Sequence, residues 1–247
     1  MTEKTFAARA EYLRQQVRFD GCRHRYTSGD QRMLSVTQVI KIAAKFGIVG
    51  DPFPEAVINR EVVQQARERG QRVHRVTAEI DSETTSSKRP ESADDGYIEA
   101  WLNVAKQFSA LLPNGWLLIE EPLGCPTLGY AGTPDRLSLS PTGRLVVVDL
   151  KTGNGGRPPR SWRIQTAAYA ALFGDRPALD SMRYGVLLRA DGTFVLEQAA
   201  GAGSCADLTV WRRCLDKARA AMSRQERGIP IDQQVESATM ADSAIAY

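Results

Sequence analysis

Two carboxylates and a lysine stand near one end of a predicted β-hairpin. Asp135 lies on the first strand, and Asp149 and Lys151 lie on the second. Carboxylates that face each other across two strands repel, and a divalent cation between them relieves the repulsion. Hard oxygen ligands of this kind suit Mg²⁺ or Mn²⁺. Lys151 follows Asp149 by two residues, so its ammonium points from the same face and can meet a developing negative charge.

The register of this hairpin decides whether the carboxylates meet. The loop Pro141–Gly143 has glycine last, which suits a type I turn closed by a left-handed residue. If Ser140 pairs with Arg144, counting outward places Asp135 directly opposite Asp149. Cross-strand neighbours have Cβ atoms roughly 5 Å apart, so this register brings both acids within reach of one ion.

The same residues also permit a structural interpretation, in which the acids are exposed strand ends paired with Arg136 or Arg144 and Lys151 is a solvated lysine. The three valines at 146–148 argue against it, because they indicate a strand buried on at least one face. A carboxylate that continues such a strand needs a partner. The Leu150 side chain is expected to pack on the opposite face, which leaves its backbone carbonyl free to act as a third oxygen ligand.

Hydrophobic periodicity and turn signals predict the elements that must position these residues. Their order is helices, three strands, a helix, two strands and a helix, which indicates an α/β or α+β chain with a mixed sheet flanked by helices. The expected helices lie at about 5–18, 36–46, 55–80 (with Gly70 as a candidate interruption), 97–112, 161–173 and 207–227. The expected strands lie at 116–121, 130–140, 144–151, 184–188 and 193–197, and a short strand or extended lead-in is expected at 22–26.

We expect one domain over residues 1–230, with a flexible tail at 231–247. Its N-terminal helical part covers about 1–112, its sheet core about 113–200, and its C-terminal helix about 207–227. The polar segment 81–96 contains one apolar residue, Ala93, and is expected to be a mobile loop.

Composition permits a soluble protein with a substantial core. The chain has 247 residues, of which 43% are hydrophobic and 25% charged, and its net charge of +3 neither demands nor opposes nucleic-acid binding. Its four cysteines are scattered without a C-x-x-C pair, so reduced thiols in a reducing compartment are expected. Without a membrane-length apolar stretch or a secretory leader, the expected location is the cytoplasm.

The acids and their neighbours resemble the PD-(D/E)-x-K nuclease signature, which Pro134-Asp135 and Asp149-Leu150-Lys151 match. Further segments resemble the RecB-like, phage-type exonuclease branch of that superfamily, and one is similar to an N-terminal element of the mitochondrial genome maintenance exonuclease. Together the matches span roughly residues 22–170 in the family order. The additional matching segments are Tyr26 with Ser35-Val36-Thr37, Gly70-Gln71-Arg72-Val73-His74, Tyr130 to Arg136, and Gln165-Thr166-Ala167-Ala168-Tyr169.

This resemblance implies a restriction-endonuclease-like core and a metal-dependent deoxyribonuclease, with exonuclease action on DNA ends or single strands. It also implies a role in recombination, repair or phage DNA metabolism, in the cytoplasm of a bacterium or a phage-infected host. It implies Mg²⁺ or Mn²⁺ held by His74, Asp135, Asp149 and the Leu150 carbonyl, with Lys151 as a catalytic group. Taken alone, a helical histidine is more often a partly buried polar or surface residue. Strand alternation puts Glu120 and Glu121 on opposite faces, and Glu121 is expected to be the acidic residue that the family carries on its first strand.

Several residues are expected to contact DNA. Gln165 and Tyr169 are one helical turn apart and share a face that, by resemblance, looks onto the active site; otherwise Tyr169 is a core residue beside an incidental glutamine. A basic run with one tryptophan would suit phosphate contacts and base stacking, although a solvated loop with the tryptophan packed inward fits equally well. Ser35 and Thr37 are candidate phosphate contacts, with helix capping as the stronger interpretation. The basic run comprises Arg157, Arg160, Trp162 and Arg163.

Cysteine positions and missing motifs limit which cofactors and partners are expected. One family variant holds an iron–sulfur cluster on four cysteines, three of them near the C-terminus, but here only Cys205 and Cys214 lie in that region, so no cluster is expected. No phosphate loop of an ATPase appears, which indicates a stand-alone enzyme. The expected partners are DNA, single-stranded or with free ends, and a recombination or single-strand-binding protein; no membrane partner is expected. The alternatives are a non-catalytic DNA-binding or recombination-accessory protein on the same fold and an endonuclease.

Overall fold

The computed structural model describes residues 1–50, 60–82, 94–199 and 201–237, and within them the chain is α/β, with mixed β-sheets flanked by helices. The helices are α1 (Glu3–Gln15), α2 (Val36–Lys45), α3 (Arg60–Asp81), α4 (Asp95–Leu111), α5 (Ser161–Ala171), α6 (Asp175–Leu179) and α7 (Ala202–Glu226). The strands are β1 (Arg18–Asp20), β2 (Arg25–Ser28), β3 (Gln31–Ser35), β4 (Leu118–Ile119), β5 (Leu123–Cys125), β6 (Tyr130–Gly132), β7 (Arg136–Leu139), β8 (Leu145–Thr152), β9 (Met182–Leu188) and β10 (Phe194–Ala199). None of the described helices combines the length and apolar character needed to cross a membrane.

The sheet that carries the predicted hairpin has the order β10-β9-β8-β7-β4. Strands β8 and β9 run parallel, and the other neighbours are antiparallel. Both faces of β8 are buried: Val146, Val148 and Leu150 pack into a cluster that includes residues of α3 and α4, while Leu145 and Val147 pack into a cluster that includes residues of α5 and α7. Because both faces are buried, the sequence of β8 begins with a continuous run of apolar residues.

A second sheet has the order β1-β2-β3-β6-β5. The single strand predicted over 130–140 is therefore wrong: its first part is β6 in this sheet, and its second part is β7 in the other. Pro134 explains the division, because proline has no N–H to give to a ladder and restricts the residue before it. The N-terminal part, predicted as helical, also contains β1, β2 and β3.

The helices depart from the predicted ones mainly at their ends. α3 continues through Gly70 without interruption, and its last residue is Asp81. α4 begins at Asp95, so the edges of the predicted loop 81–96 belong to helices, while residues 83–93 lie outside the described part. In the predicted tail, residues 231–237 are helical and the buried Gln234 donates a hydrogen bond to the Ala221 carbonyl at 3.1 Å; residues 238–247 lie outside the described part.

Candidate active site

The hairpin has the register that the sequence predicts. Ser140 N–H donates to the Arg144 carbonyl at 2.9 Å, and the ladder runs outward to the pair of Arg136 and Val148. The ladder ends at that pair, one step before Asp135 and Asp149. Asp135 has left the ladder, and its Oδ2 accepts a hydrogen bond from the Leu150 N–H at 2.5 Å. A side-chain oxygen thus replaces the backbone acceptor at this end of β8, and both acids are buried.

His74 brings α3 to the same point. Its Nδ1 lies 2.9 Å from Glu120 Oε1 and 3.5 Å from Asp135 Oδ1, and its Nε2 lies 3.2 Å from the Leu150 carbonyl oxygen. Candidate ligand atoms of His74, Glu120 and Asp135 all lie within 4.8 Å of one another. The neighbouring Val73 is buried in the core, which fixes the rotation of α3 and directs its next residue into the site.

The acid beside His74 is Glu120, and the expectation that Glu121 occupies this place is wrong. β4 ends at Ile119, and Glu120 has a left-handed backbone with φ of 50°. Strand alternation therefore stops before the two acids, and the turn directs Glu120 into the cluster. Glu121 instead accepts a hydrogen bond from Arg14 of α1 at 2.6 Å. A non-glycine residue with positive φ is uncommon, and the sequence around Glu120 carries no signal for it.

Lys151 completes the cluster from β8. Its Nζ lies 2.8 Å from Asp149 Oδ1 and 3.2 Å from Gln165 Oε1, so α5 contributes to the site as well. Asp149 Oδ2 lies 2.7 Å from the same ammonium, so Lys151 contacts both oxygens of this buried carboxylate.

Tyr169 lies beside the acids, one turn after Gln165. Gly132 makes room for it, since a Cβ on Gly132 would lie 2.7 Å from the tyrosine ring. Burial raises the pKa of the Tyr169 phenol well above its usual value, and the charges of Asp135 and Asp149 raise it further. The phenol therefore stays protonated and is available as a hydrogen-bond donor. The predicted sharing of one face by Gln165 and Tyr169 is confirmed in position.

The charged groups of the cluster shift one another's pKa values. Burial lowers the pKa of His74, but Asp135 and Glu120 outweigh it and raise the value to about 9. Burial raises the pKa of Asp149 to about 6, opposed by Lys151 and reinforced by Asp135. Burial lowers the pKa of Lys151, yet its ion pair with Asp149 raises the net value. At neutral pH the protein thus holds an imidazolium at His74 and an ammonium at Lys151.

The donor set fits a divalent cation. Glu120 and Asp135 supply carboxylate oxygens and Leu150 supplies a carbonyl, which are the hard oxygen ligands that Mg²⁺ and Mn²⁺ prefer. His74 supplies a ring nitrogen, a ligand more typical of transition-metal ions. Both nitrogens of His74 face oxygen acceptors, so the surroundings stabilise positive charge at this point. Asp149 is the further candidate, because its buried carboxylate lies close enough to Asp135 for the charge of Asp135 to raise its pKa.

A groove of about 610 Å³ leads to this cluster from the surface. Exposed side chains of α3, among them Arg67, Gln71 and Arg75, form one wall. His74 and Glu120 lie in its lining, so a solvent-borne molecule can reach the candidate ligands. Two arginines, Arg67 and Arg75, and two glutamates, Glu79 and Glu120, line it, so charges of both signs meet at the entrance.

Of the two interpretations of the basic run, the structure has the one in which the tryptophan packs inward. Trp162 is buried, and its ring fills the space left by Gly185, where a Cβ would lie 2.5 Å from it. Arg163 is held by Asp207, with its Nε 3.0 Å from Oδ2, and so stabilises the contact between α5 and α7. Of the run, Arg157 and Arg160 are exposed, although Arg157 Nε lies 3.6 Å from Glu197.

Ser35 and Thr37 lie at the start of α2. Ser35 is its N-cap, with a capping box formed with Gln38, so the capping interpretation is confirmed for Ser35. The Thr37 hydroxyl lies 3.1 Å from that of Ser35. Because the Ser35 side chain is buried and already bonded, it is not placed to bind a phosphate.

Comparisons with known proteins do not place the chain in a family. No protein-family model and no curated protein matches it. The resemblance to PD-(D/E)-x-K nucleases therefore stays a prediction, which depends on the quoted residues.

Proposed function

We propose that the chain is a metal-dependent deoxyribonuclease with a restriction-endonuclease-like core, acting as an exonuclease on DNA ends or single strands. The observation that carries the proposal is the convergence of one charged cluster from separate elements. α3 supplies His74, the turn after β4 supplies Glu120, and the segment before β7 supplies Asp135. β8 adds Asp149 and Lys151, and α5 adds Gln165.

The cluster would hold Mg²⁺ or Mn²⁺ through His74, Glu120, Asp135 and the Leu150 carbonyl, with Asp149 as the further acidic ligand. When bound, the ion supplies Lewis-acid polarisation of the phosphate and acidifies water. Hydrolysis forms a bond from the oxygen of water to phosphorus and breaks one phosphorus–oxygen ester bond. One proton of that water ends on the leaving oxygen, and the chain must manage this transfer and the extra negative charge.

Lys151 is suited to stabilising the negative charge that develops on the phosphate, rather than to abstracting a proton from water. Its ion pair with Asp149 raises its pKa, so it is an ammonium at neutral pH and cannot act as a general base in that state. A buried ammonium beside the reacting phosphate stabilises the negative charge that develops on oxygen. The Gln165 amide oxygen accepts from this ammonium and holds it in place, with Nζ 3.2 Å away.

The test is cleavage of labelled single- and double-stranded oligonucleotides in Mg²⁺, Mn²⁺ or EDTA. Cleavage that EDTA abolishes is the expected result, and Asp149→Ala and Lys151→Ala should each abolish it while the far-UV spectrum is retained. Labels at the 5′ or 3′ end report polarity, and a circular substrate separates an exonuclease from an endonuclease. Binding without cleavage, or full activity in a clean Asp149→Ala preparation, would contradict the proposal.

A further inference from the structure

Three aromatic side chains form a ladder on the hairpin of β1 and β2. Phe19 and Tyr26 are direct cross-strand partners, and their rings stack with centroids 4.6 Å apart. His24, in the connecting loop, packs edge-on against Phe19 at 5.4 Å. The histidine has a left-handed backbone with φ of 47°, a conformation that is rare outside glycine. We call these residues the ring ladder.

The inner end of the ring ladder contacts the segment that carries Asp135. Tyr26 is 3% exposed, and its hydroxyl lies 2.9 Å from the Thr133 hydroxyl, two residues before Asp135. The outer end faces solvent: Phe19 is 36% exposed and His24 is exposed as well. The rings therefore run from the segment that carries a candidate metal ligand to the surface.

Positive charge surrounds the outer end. Burial, followed by the charges of Arg67 and Lys41, lowers the pKa of His24, which places both cations near the ring. Arg67 also lines the groove that leads to His74. Residues 18–35, which form β1, β2 and β3, carry four arginines against two aspartates. An exposed aromatic face flanked by cations is complementary to a nucleobase with its phosphate.

We propose that Phe19 and His24 form a stacking subsite for an unpaired base of single-stranded DNA next to the scissile phosphate. This inference deepens the proposed function and depends on it for the position of the scissile phosphate. A base within a duplex is already stacked on both faces, so the subsite selects single strands or frayed ends. Phosphates flanking the stacked base would lie near Arg67 and Lys41, which supply non-specific affinity.

The experiment measures binding separately from cleavage. Fluorescence anisotropy of a labelled oligothymidine is recorded with the whole chain in EDTA, where no divalent metal supports hydrolysis. Phe19→Ala should weaken binding roughly tenfold, Phe19→Trp should retain it, and Phe19→Leu, which keeps bulk but not the ring, should resemble Phe19→Ala. Tyr12→Ala is the matched control, because Tyr12 is a comparably exposed aromatic residue on α1 and should bind DNA as the wild type does.

An abasic walk along the oligonucleotide identifies stacking directly. Removing the base at one position should weaken wild-type binding. The Phe19→Ala protein should bind this abasic oligonucleotide as tightly as it binds the intact one. Equal affinity for every abasic position, or wild-type affinity in a folded Phe19→Ala protein, would overturn the inference. If Phe19→Ala does not fold, Phe19→Leu and the wild-type walk decide. If one abasic position weakens wild-type binding but EDTA-sensitive cleavage is not found, the nuclease proposal is refuted and the stacking subsite is supported. If cleavage is found but no abasic position weakens binding, the stacking subsite is refuted and the nuclease proposal is supported.

Discussion

The buried ion pair of Arg136 and Asp81 gives a stability prediction whose size follows from the structure. Arg136 Nε lies 2.6 Å from Asp81 Oδ2, and the two side chains are only 0% and 8% exposed, so solvent does not screen the pair. The same guanidinium donates to the Thr77 hydroxyl and lies over the Trp101 ring, 5.3 Å from its centroid. Arg136 thus joins β7 to the end of α3, the helix that carries His74.

Arg136→Met should destabilise the protein by about 3–5 kcal/mol at pH 8, because it leaves the Asp81 carboxylate buried without its cation. In urea this corresponds to a midpoint lower by roughly 1–2 M. Burial already raises the pKa of Asp81, and Arg136 opposes that rise, so removing the arginine raises the pKa further. An acid whose folded pKa is raised costs stability as the pH increases. The difference between variant and wild type should therefore be smaller at pH 5 than at pH 8.

Urea denaturation followed by circular dichroism at both pH values provides the measurement. Arg14→Met is the matched control: it removes the same charge from the half-exposed pair with Glu121 and should cost less than about 1 kcal/mol. The double variant Arg136→Met/Asp81→Asn should recover much of the loss, since no ionised carboxylate is then left unpaired. A loss that is equal at pH 5 and pH 8, or that the second substitution deepens, would refute the reasoning.

The remaining predictions concern the metal cluster and the tryptophan. Glu120→Gln should weaken Mn²⁺ binding at least tenfold in calorimetry, whereas Glu121→Gln should match the wild type; equal effects would contradict the assignment. Because the pKa of His74 is about 9, Mn²⁺ that takes its ring nitrogen must displace a proton at pH 7, so affinity should increase from pH 7 to pH 9. Calorimetry in two buffers of different ionisation enthalpy measures that proton, and its absence would exclude His74 as a ligand. Trp162→Ala should destabilise by about 3–5 kcal/mol in urea; unchanged stability with weakened DNA binding would restore Trp162 as a DNA contact.

Local rules were sufficient for the hairpin that carries the acids. Loop length and the glycine at its end determine the register, which runs from Leu139 and Leu145 to Arg136 and Val148 and so brings Asp135 to the end of the ladder beside β8. Nothing in that argument requires knowledge of distant residues. His74 differs, because α3 meets the hairpin only through tertiary packing, and the sequence indicates its role through resemblance alone.

The orientations of Glu120 and Trp162 could not be determined from the sequence, because each depends on backbone conformation or on a distant residue. Glu120 enters the site because its backbone leaves the strand with positive φ, whereas the alternation argument assumes that the strand continues. Trp162 turns inward because Gly185, on a strand that follows later in the chain, leaves a space for its ring. In both cases the residue type is compatible with either orientation, and the decisive contact is supplied by backbone geometry that a sequence pattern does not encode.

The segment between β6 and β7 connects the two sheets and both proposed sites. Gly132 ends β6 and makes room for Tyr169, Thr133 bonds to the inner ring of the ladder, and Asp135 reaches the backbone of β8. Pro134 keeps this segment out of either ladder, which frees its side chains for these contacts. A shift of the segment would therefore move a candidate metal ligand and the base-stacking surface together. Under the proposed function, this connection fixes the distance between the stacked base and the phosphate that is cleaved.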